Sequence, residues 1–436
     1  MDWYVIAALF GTFAFLLVLS VPVSFAIGLS SLVAIAMTLP LDSAITVVAQ
    51  RMAAGVDNFS LLAIPFFILA GNIMNQGGIA ARLINVAKVI GGRLPGSLLH
   101  VNIMANMLFG AISGSAVASA AAVGGTMSPM QKKEGYDPEL SAAVNIASCP
   151  SGLLIPPSNT LIVYSLVSGG TSIAALFLAG YIPGILMGLS LMIVSGIIAK
   201  KRGYPVAPRP TWNEFFSTVW KAVPSLMLIV VIMGGIIAGI FTATEASAIA
   251  VIYSFVLAVI IYREVSFSRL PKIILESAVT TSIVLLLIGA SMGMSWAMAN
   301  ADLPYLIADG LMAISDNALT ILLVINIILL IVGIFMDMTP AVLIFTPIFL
   351  PVAMDMGIDP VHFGIIMTFN LAIGICPPPV GSALFVGCSV GGVSIDKVLK
   401  PLVPMYIALI AALAVVTYFP QLSLWLPELV LNYTPS

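Results

Sequence analysis

Long, unbroken apolar runs recur along the chain, separated by short polar segments. "WYVIAALFGTFAFLLVLSV" opens it, and "TILLVINIILLIVGIF" stands near residue 320. Runs of about 20 apolar residues are long enough to cross ~30 Å of hydrocarbon as helices. They are continuous and do not alternate with polar positions, so helices are predicted and not the strands of a barrel. The pattern predicts helices at about 3–20, 24–40, 58–76, 141–167 and 174–199 in the first half. Amphipathic stretches near Arg82–Pro95 and Leu303–Ser315 are expected along the membrane surfaces.

Two interruptions stand out. "LLIPPSNT" covers 153–160 and "ICPPPVGS" covers 375–382, an offset of 222 residues. Proline lacks an N–H and clashes with the carbonyl four residues back, so each stretch breaks its helix. The same offset carries Gly135-Tyr136-Asp137-Pro138 onto Gly357-Ile358-Asp359-Pro360, Gly152 onto Gly374, and Gly71 onto Gly293. The chain therefore reads as two repeats, 1–222 and 223–436. In the first, scaffold helices fill about 1–97, a hairpin about 98–130 and a broken helix about 141–167, and a linker covers about 199–221. In the second, scaffold helices fill about 223–317, a hairpin about 318–351 and a broken helix about 362–389.

Charge orients the repeats. Lys and Arg in short loops stay on the cytoplasmic side. Arg82, Lys88 and Arg93 follow the third helix, whereas the equivalent loop holds Asp302, Asp309 and Asp316. Lys132 and Lys133 face Asp355 and Asp359 in the same comparison. Equivalent loops thus fall on opposite faces, the pattern of an inverted-topology repeat in a secondary transporter. Both termini are then periplasmic. Residues 98–129 lie between two cytoplasmic loops, so they cross an even number of times, as a re-entrant hairpin or as two short helices. The first run follows Asp2 with no Lys or Arg, so it reads as a retained helix and not a cleaved signal.

Of the 436 residues, 61% are hydrophobic and 8% charged, against about 25% charged in soluble domains. An integral, all-α polytopic membrane protein follows. The net charge of −2 gives no reason to expect a nucleic-acid partner. Cys149, Cys376 and Cys388 have unrelated spacing and read as buried packing. His100 and His362 stand alone and read as structural. Trp3, Trp212, Trp220 and Trp425 suit membrane interfaces. The chain has no HExxH motif and no evident Ser–His pairing, which points away from an intramembrane enzyme.

The breaks supply the candidate chemistry. Freed carbonyls suit a small cation, and freed N–H groups at a half-helix start suit an anion. The hairpin tips "ISGSAVAS" and "VGIFMDMT" offer Ser113, Ser115 and Ser119, then Gly333, Asp337 and Thr339. An acid inside the membrane is costly without a partner, so a cation is expected beside Asp337. Ser158, Asn159 and Thr160 either cap the second half of the broken helix or touch substrate; Ser382 is a weaker counterpart. Glu245 is a candidate acid at a loop end, and Asp57-Asn58 precede a helix as a cap.

With "GAISGSAVAS", "GLLIPPSN", "GIFTATEAS", "GIFMDMTP" and "ICPPPVGS" together, the chain resembles the large membrane subunit of TRAP (tripartite ATP-independent periplasmic) transporters across nearly its whole length. Ala243 or Thr244 stands where that family often has proline. The resemblance implies a bacterial or archaeal inner-membrane symporter that imports an organic acid anion with sodium by an elevator motion. C4-dicarboxylates, sialic acid and related sugar acids are the substrates it suggests. It implies a small four-helix membrane subunit and a periplasmic substrate-binding protein as partners, co-transported sodium, and no organic cofactor. It places one sodium among Ser113, Ser115, Gly152, Ile155 and Pro157. A second is expected among Gly333, Asp337, Gly374, Pro377 and Pro379. A stand-alone divalent-anion:sodium symporter of similar architecture is the alternative.

Overall fold

The computed structural model describes residues 3–92, 94–204, 206, 211–315, 317–378 and 381–435. Arg93, Asp316, Pro379 and Val380 lie outside them, as do most of 205–210. Every regular element among the described residues is helical. Among the described residues, eight helices are at least 18 residues long and apolar enough to cross a membrane; the pair Pro138–Leu154 and Asn159–Val167, bent by 50° at its break, is apolar enough to make a ninth. Their outward faces carry Ile, Leu, Val and Phe, as contact with lipid requires.

Burial divides the molecule. Pro138–Ser148 and Pro360–Gly374 lie at its centre, and every residue of the second from Val361 onward is buried. Against them pack two hairpins, Ser97–Ser113 with Ala116–Lys133 and Ala318–Phe335 with Met338–Asp355. Ile173–Arg202, Ile395–Tyr418 and Gln421–Leu431 close this block. A framework surrounds it. There Ala243–Phe255 packs on Ala63–Gln76, and Leu270–Asn300 packs on Val23–Ala36 and Leu41–Val56.

The 222-residue offset governs helix boundaries as well as motifs. Helices that start at Ala116, Pro138 and Ile173 have counterparts that start at Met338, Pro360 and Ile395. Both broken helices start alike. Asp137 accepts the N–H of Glu139 at 2.9 Å, and Asp359 accepts that of Val361 at 2.8 Å, each followed by a proline at the first helical position.

Three sequence expectations change. Leu41–Val56 is a helix that hydropathy did not predict, because Asp42, Gln50 and Arg51 interrupt its apolar pattern. The linker drawn at 199–221 is helical at both ends: Ile173–Arg202 runs into it, and a Thr211–Glu214 capping box starts Trp212–Ile237 inside it. Glu245 is a capping residue, not a site acid. It accepts from the Thr242 N–H at 2.8 Å and hydroxyl at 2.9 Å at an exposed helix start. Asn58 caps as expected and accepts the Ser60 N–H at 2.9 Å. Both histidines are buried, His100 beside the Pro95 carbonyl and His362 beside that of Thr417.

Candidate functional site

The first hairpin turns at Gly114, whose φ of +61° is left-handed and suits glycine. Ser115 follows it and caps the second leg by accepting the Ala118 N–H at 3.3 Å. The tip reaches the middle of the broken helix. A Cβ on Gly114 would lie 3.4 Å from the Pro157 carbonyl oxygen and 3.5 Å from the Asn159 amide nitrogen. One turn below, Gly110 and Gly152 pack backbone to backbone, and a Cβ on Gly152 would stand 2.2 Å from the Gly110 Cα. No side chain fits between them.

Ile155 is extended and ends the first half of the broken helix. Its side chain packs on Gly184, while Gly180 lets the neighbouring helix approach the Leu154 carbonyl. Ser158 resolves part of the break. Its hydroxyl donates to the Leu153 carbonyl at 2.5 Å and accepts the Leu161 N–H at 3.5 Å. Ser158 is therefore a buried cap, its proton and one of its lone pairs engaged within the helix, and it does not line the cavity described below.

The second half repeats the backbone arrangement with other side chains. Gly333 and Gly374 pack as Gly110 and Gly152 do, a Cβ on Gly374 falling 2.5 Å from the Gly333 Cα. The hairpin turns at Met336, and Asp337 occupies the cap position of the second leg without a side-chain capping bond. Across from it, the carbonyls of Ile375 and Pro377 converge on Gly381, where a Cβ would meet them at 2.9 and 2.5 Å. The hydroxyl of Ser382 is buried and has no hydrogen-bond partner among the described residues.

Both tips and both breaks open on one cavity of about 410 Å³. Ser113, Ser115, Asn159, Thr160, Asp337 and Ser382 line it together, although they come from both halves of the chain. A pocket of about 20 Å³ beside it is lined by Gly333, Met336, Asp337, Ile375, Gly381 and Ser382. Gly152, Ile155, Pro157, Gly374 and Pro377 do not line either space with side chains; they shape the backbone behind it. Pro379 lies outside the described residues.

Sequence reasoning missed the framework wall of the cavity. Asn72 and Thr280 line it, and Asn72 donates to Ser277 at 2.8 Å. Gly71 brings this wall against the first tip, its would-be Cβ 3.0 Å from the Ser113 carbonyl oxygen. A lone asparagine in "ILAGNIM" was the available signal. Amides also pin each hairpin to its broken helix. Asn106 donates to Asn145 at 3.0 Å and to Ser148 at 2.8 Å, while Asn370 donates to Asn326 at 2.8 Å.

The hydroxyls, main-chain carbonyls and one carboxylate around these spaces are hard oxygen donors, suited to a small cation and not to zinc or copper. Among the described residues, no group of three or more His, Cys, Asp or Glu forms a metal centre. Interrupted helices that face hairpin tips across a cavity carrying several polar side chains, inside an apolar bundle, define a polytopic membrane transporter.

The model of the family "Tripartite ATP-independent periplasmic transporter, DctM component" matches residues 10–422, and the chain belongs to this family. It is 65% identical over 433 residues, 99% of each chain, to the protein YgiK of Salmonella typhimurium. It is 42% identical to the sialic acid TRAP transporter large permease SiaM of Vibrio cholerae, covering 90% of this chain and 92% of that one. Against the C4-dicarboxylate TRAP transporter large permease DctM of Pseudomonas aeruginosa the identity is 40%, over 85% of this chain and 87% of that one. In fold it is similar to the YdaH transporter of Alcanivorax borkumensis, with a TM-score of 0.63, 13% identity, and 86% and 88% of the two chains covered. The chain is thus the large membrane subunit of a TRAP secondary transporter, an integral inner-membrane protein and not an enzyme. The family implies a small membrane subunit and a binding protein as its partners.

Proposed function

We propose that this subunit imports an organic acid anion together with sodium, receiving the acid from a periplasmic substrate-binding protein and moving it by an elevator motion. The observation that carries the reading is the single cavity shared by two hairpin tips and two helix breaks. Its volume falls in the range of about 300–1,000 Å³ typical of small-molecule sites. C4-dicarboxylates, sialic acid and related sugar acids share a carboxylate, which the half-helix starting at Asn159 can hold through its free N–H groups. The names of the SiaM and DctM relatives support this substrate class.

Coupling follows from charge. Asp337 already borders the cavity, and a substrate carboxylate adds a second negative charge in a medium of low dielectric. Sodium at Gly333, Asp337, Gly374, Pro377 and Pro379 offsets that repulsion; a second ion at Ser113, Ser115, Gly152, Ile155 and Pro157 reinforces it. The repeated helix boundaries support two repeats, 1–222 and 223–436, and the opposite charges of their equivalent loops support an inverted arrangement with both termini periplasmic. The hairpins meet the middles of the broken helices, which supports re-entrant tips. The inner block then moves against the framework, with Gly71 as the close sliding contact.

The test is uptake of a panel of organic acids by vesicles containing the chain and its small membrane partner. Sodium gradient and periplasmic protein are each supplied or withheld. Uptake that needs both is the expected result. Indifference to the sodium gradient removes the coupling, and uptake without the periplasmic protein favours a stand-alone divalent-anion:sodium symporter.

A further inference from the structure

Away from the central cavity, the framework carries an apolar cleft of about 240 Å³. Leu69 and Ile73 come from the helix ending at Gln76, Ile252 and Phe255 from Ala243–Phe255, and Ile273 and Ile274 from Leu270–Asn300. A protein helix is about 10–12 Å across with its side chains, too wide for a cleft of this size; an extended hydrocarbon chain is not. Phe267 packs edge-on against Phe255, their centroids 6.3 Å apart.

One end of this cleft is basic. The helix that holds Phe255 passes through a π-helical turn, Val256–Ile261, and arrives at Arg263, whose φ is +55°. Arg269 immediately precedes Leu270, and Lys272 precedes Ile273. Two acids are already engaged there: Glu264 lies 3.9 Å from Arg82, which stacks on Tyr262, and Glu276 lies 3.9 Å from Lys272. Arg263 and Arg269 are exposed and have no ion-pair partner among the described residues. No side chain caps the helix at Leu270, whose N–H donates to the Phe267 carbonyl, and Arg269 stands immediately before its first turn.

We propose that this cleft binds an anionic phospholipid. One acyl chain lies along Ile73, Ile252 and Ile273, and the phosphate is held by Arg263 and Arg269 at the start of the Leu270 helix. Any acyl chain satisfies the groove; the two unneutralised guanidiniums select the headgroup, because an anion near them gains charge-assisted hydrogen bonds. A transmembrane partner helix offers apolar side chains but no negative charge for this pair.

Native mass spectrometry tests the assignment. The chain, with its small membrane partner, is released from bilayers of equal phosphatidylglycerol and phosphatidylcholine with matched acyl chains. Phosphatidylglycerol should be retained about tenfold over phosphatidylcholine, and R263Q/R269Q should abolish the preference. Ile252→Trp, at a position 65% exposed, fills the groove and should lower retention of both lipids. Lys221→Gln, an exposed cation elsewhere, should change nothing. Equal retention by the parent overturns the proposal, as does a preference that survives R263Q/R269Q. So does an equal effect of K221Q, retention indifferent to I252W, or a helix of the small partner found in the cleft.

Discussion

The two broken helices share a backbone design and differ in how their breaks are satisfied. In the first, Ser158 answers a freed carbonyl and caps the following half-helix, and Ser115 caps the facing hairpin leg. The local chemistry is neutral, and the Asn159 side-chain oxygen is the polar atom left buried without a partner there among the described residues. In the second, glycine and proline occupy the break, Asp337 makes no capping bond, and the Ser382 hydroxyl has no partner among the described residues. The two halves share this packing, Gly110 on Gly152 and Gly333 on Gly374, while their polar groups differ. The second half thus brings a negative charge to the lining of a pocket of about 20 Å³.

Breaking the shared packing should have the largest effect. Gly152→Ala and Gly374→Ala each drive a methyl group into a facing backbone, which has no rotamer through which to yield. Each should lower thermal stability by roughly 1–3 kcal/mol and abolish uptake. Tolerance of either substitution in a thermal-unfolding and uptake assay would separate the two halves at the level where they look most alike.

The polar difference is tested next. Asp337→Asn removes the charge and should raise the sodium concentration for half-maximal uptake by about tenfold or more. Ser115→Ala removes one neutral oxygen and one cap, with a smaller shift of about threefold and a stability loss of about 1 kcal/mol. Equal effects in a sodium titration of uptake would mean that the two tips carry the same load.

The smallest effect lies outside the membrane, where each broken helix is tied to the end of its own repeat. Asp137 binds Arg202, and its N–H donates to the Tyr204 hydroxyl oxygen at 3.1 Å; Asp359 accepts from Tyr433 at 2.9 Å. Burial pushes the Asp137 carboxyl up, but hydrogen bonds from Glu139, Arg202 and the helix N–H groups outweigh it and hold it below the usual carboxylate range. A depressed value means stabilisation that is complete above the unfolded pKa of about 3.9 and fades as pH falls through the folded value. For a half-exposed pair this amounts to about 1 kcal/mol or less. Stability scans should therefore show Arg202→Gln weaker than the parent at pH 6 and the gap narrowing below about pH 4. A gap that does not depend on pH would assign the contact to packing.

Much of this architecture was readable because its causes are local. Proline breaks whichever helix contains it, so 153–160 and 375–382 announced their interruptions, and Asp137-Pro138 and Asp359-Pro360 announced two helix starts. Polar framework positions were not readable in the same way. Asn72 and Thr280 belong to the cavity because a distant tip is seated on Gly71, and nothing within a few residues of them records that contact. The role of Ser158 was left open between cap and contact because it depends on where the Leu153 carbonyl points.

The sequence by itself determined a membrane-spanning helical chain, the 222-residue offset between its matching motifs, its two breaks and its two tips, since hydropathy, proline sterics and glycine freedom act over a turn or two of chain. Tertiary structure alone decided that tips and breaks from both halves meet at one cavity, that Asp337 and Ser382 share one small hollow, and that Ser158 turns inward as a cap. Those outcomes depend on packing between segments far apart in the chain, where one missing methyl group sets how closely two backbones approach.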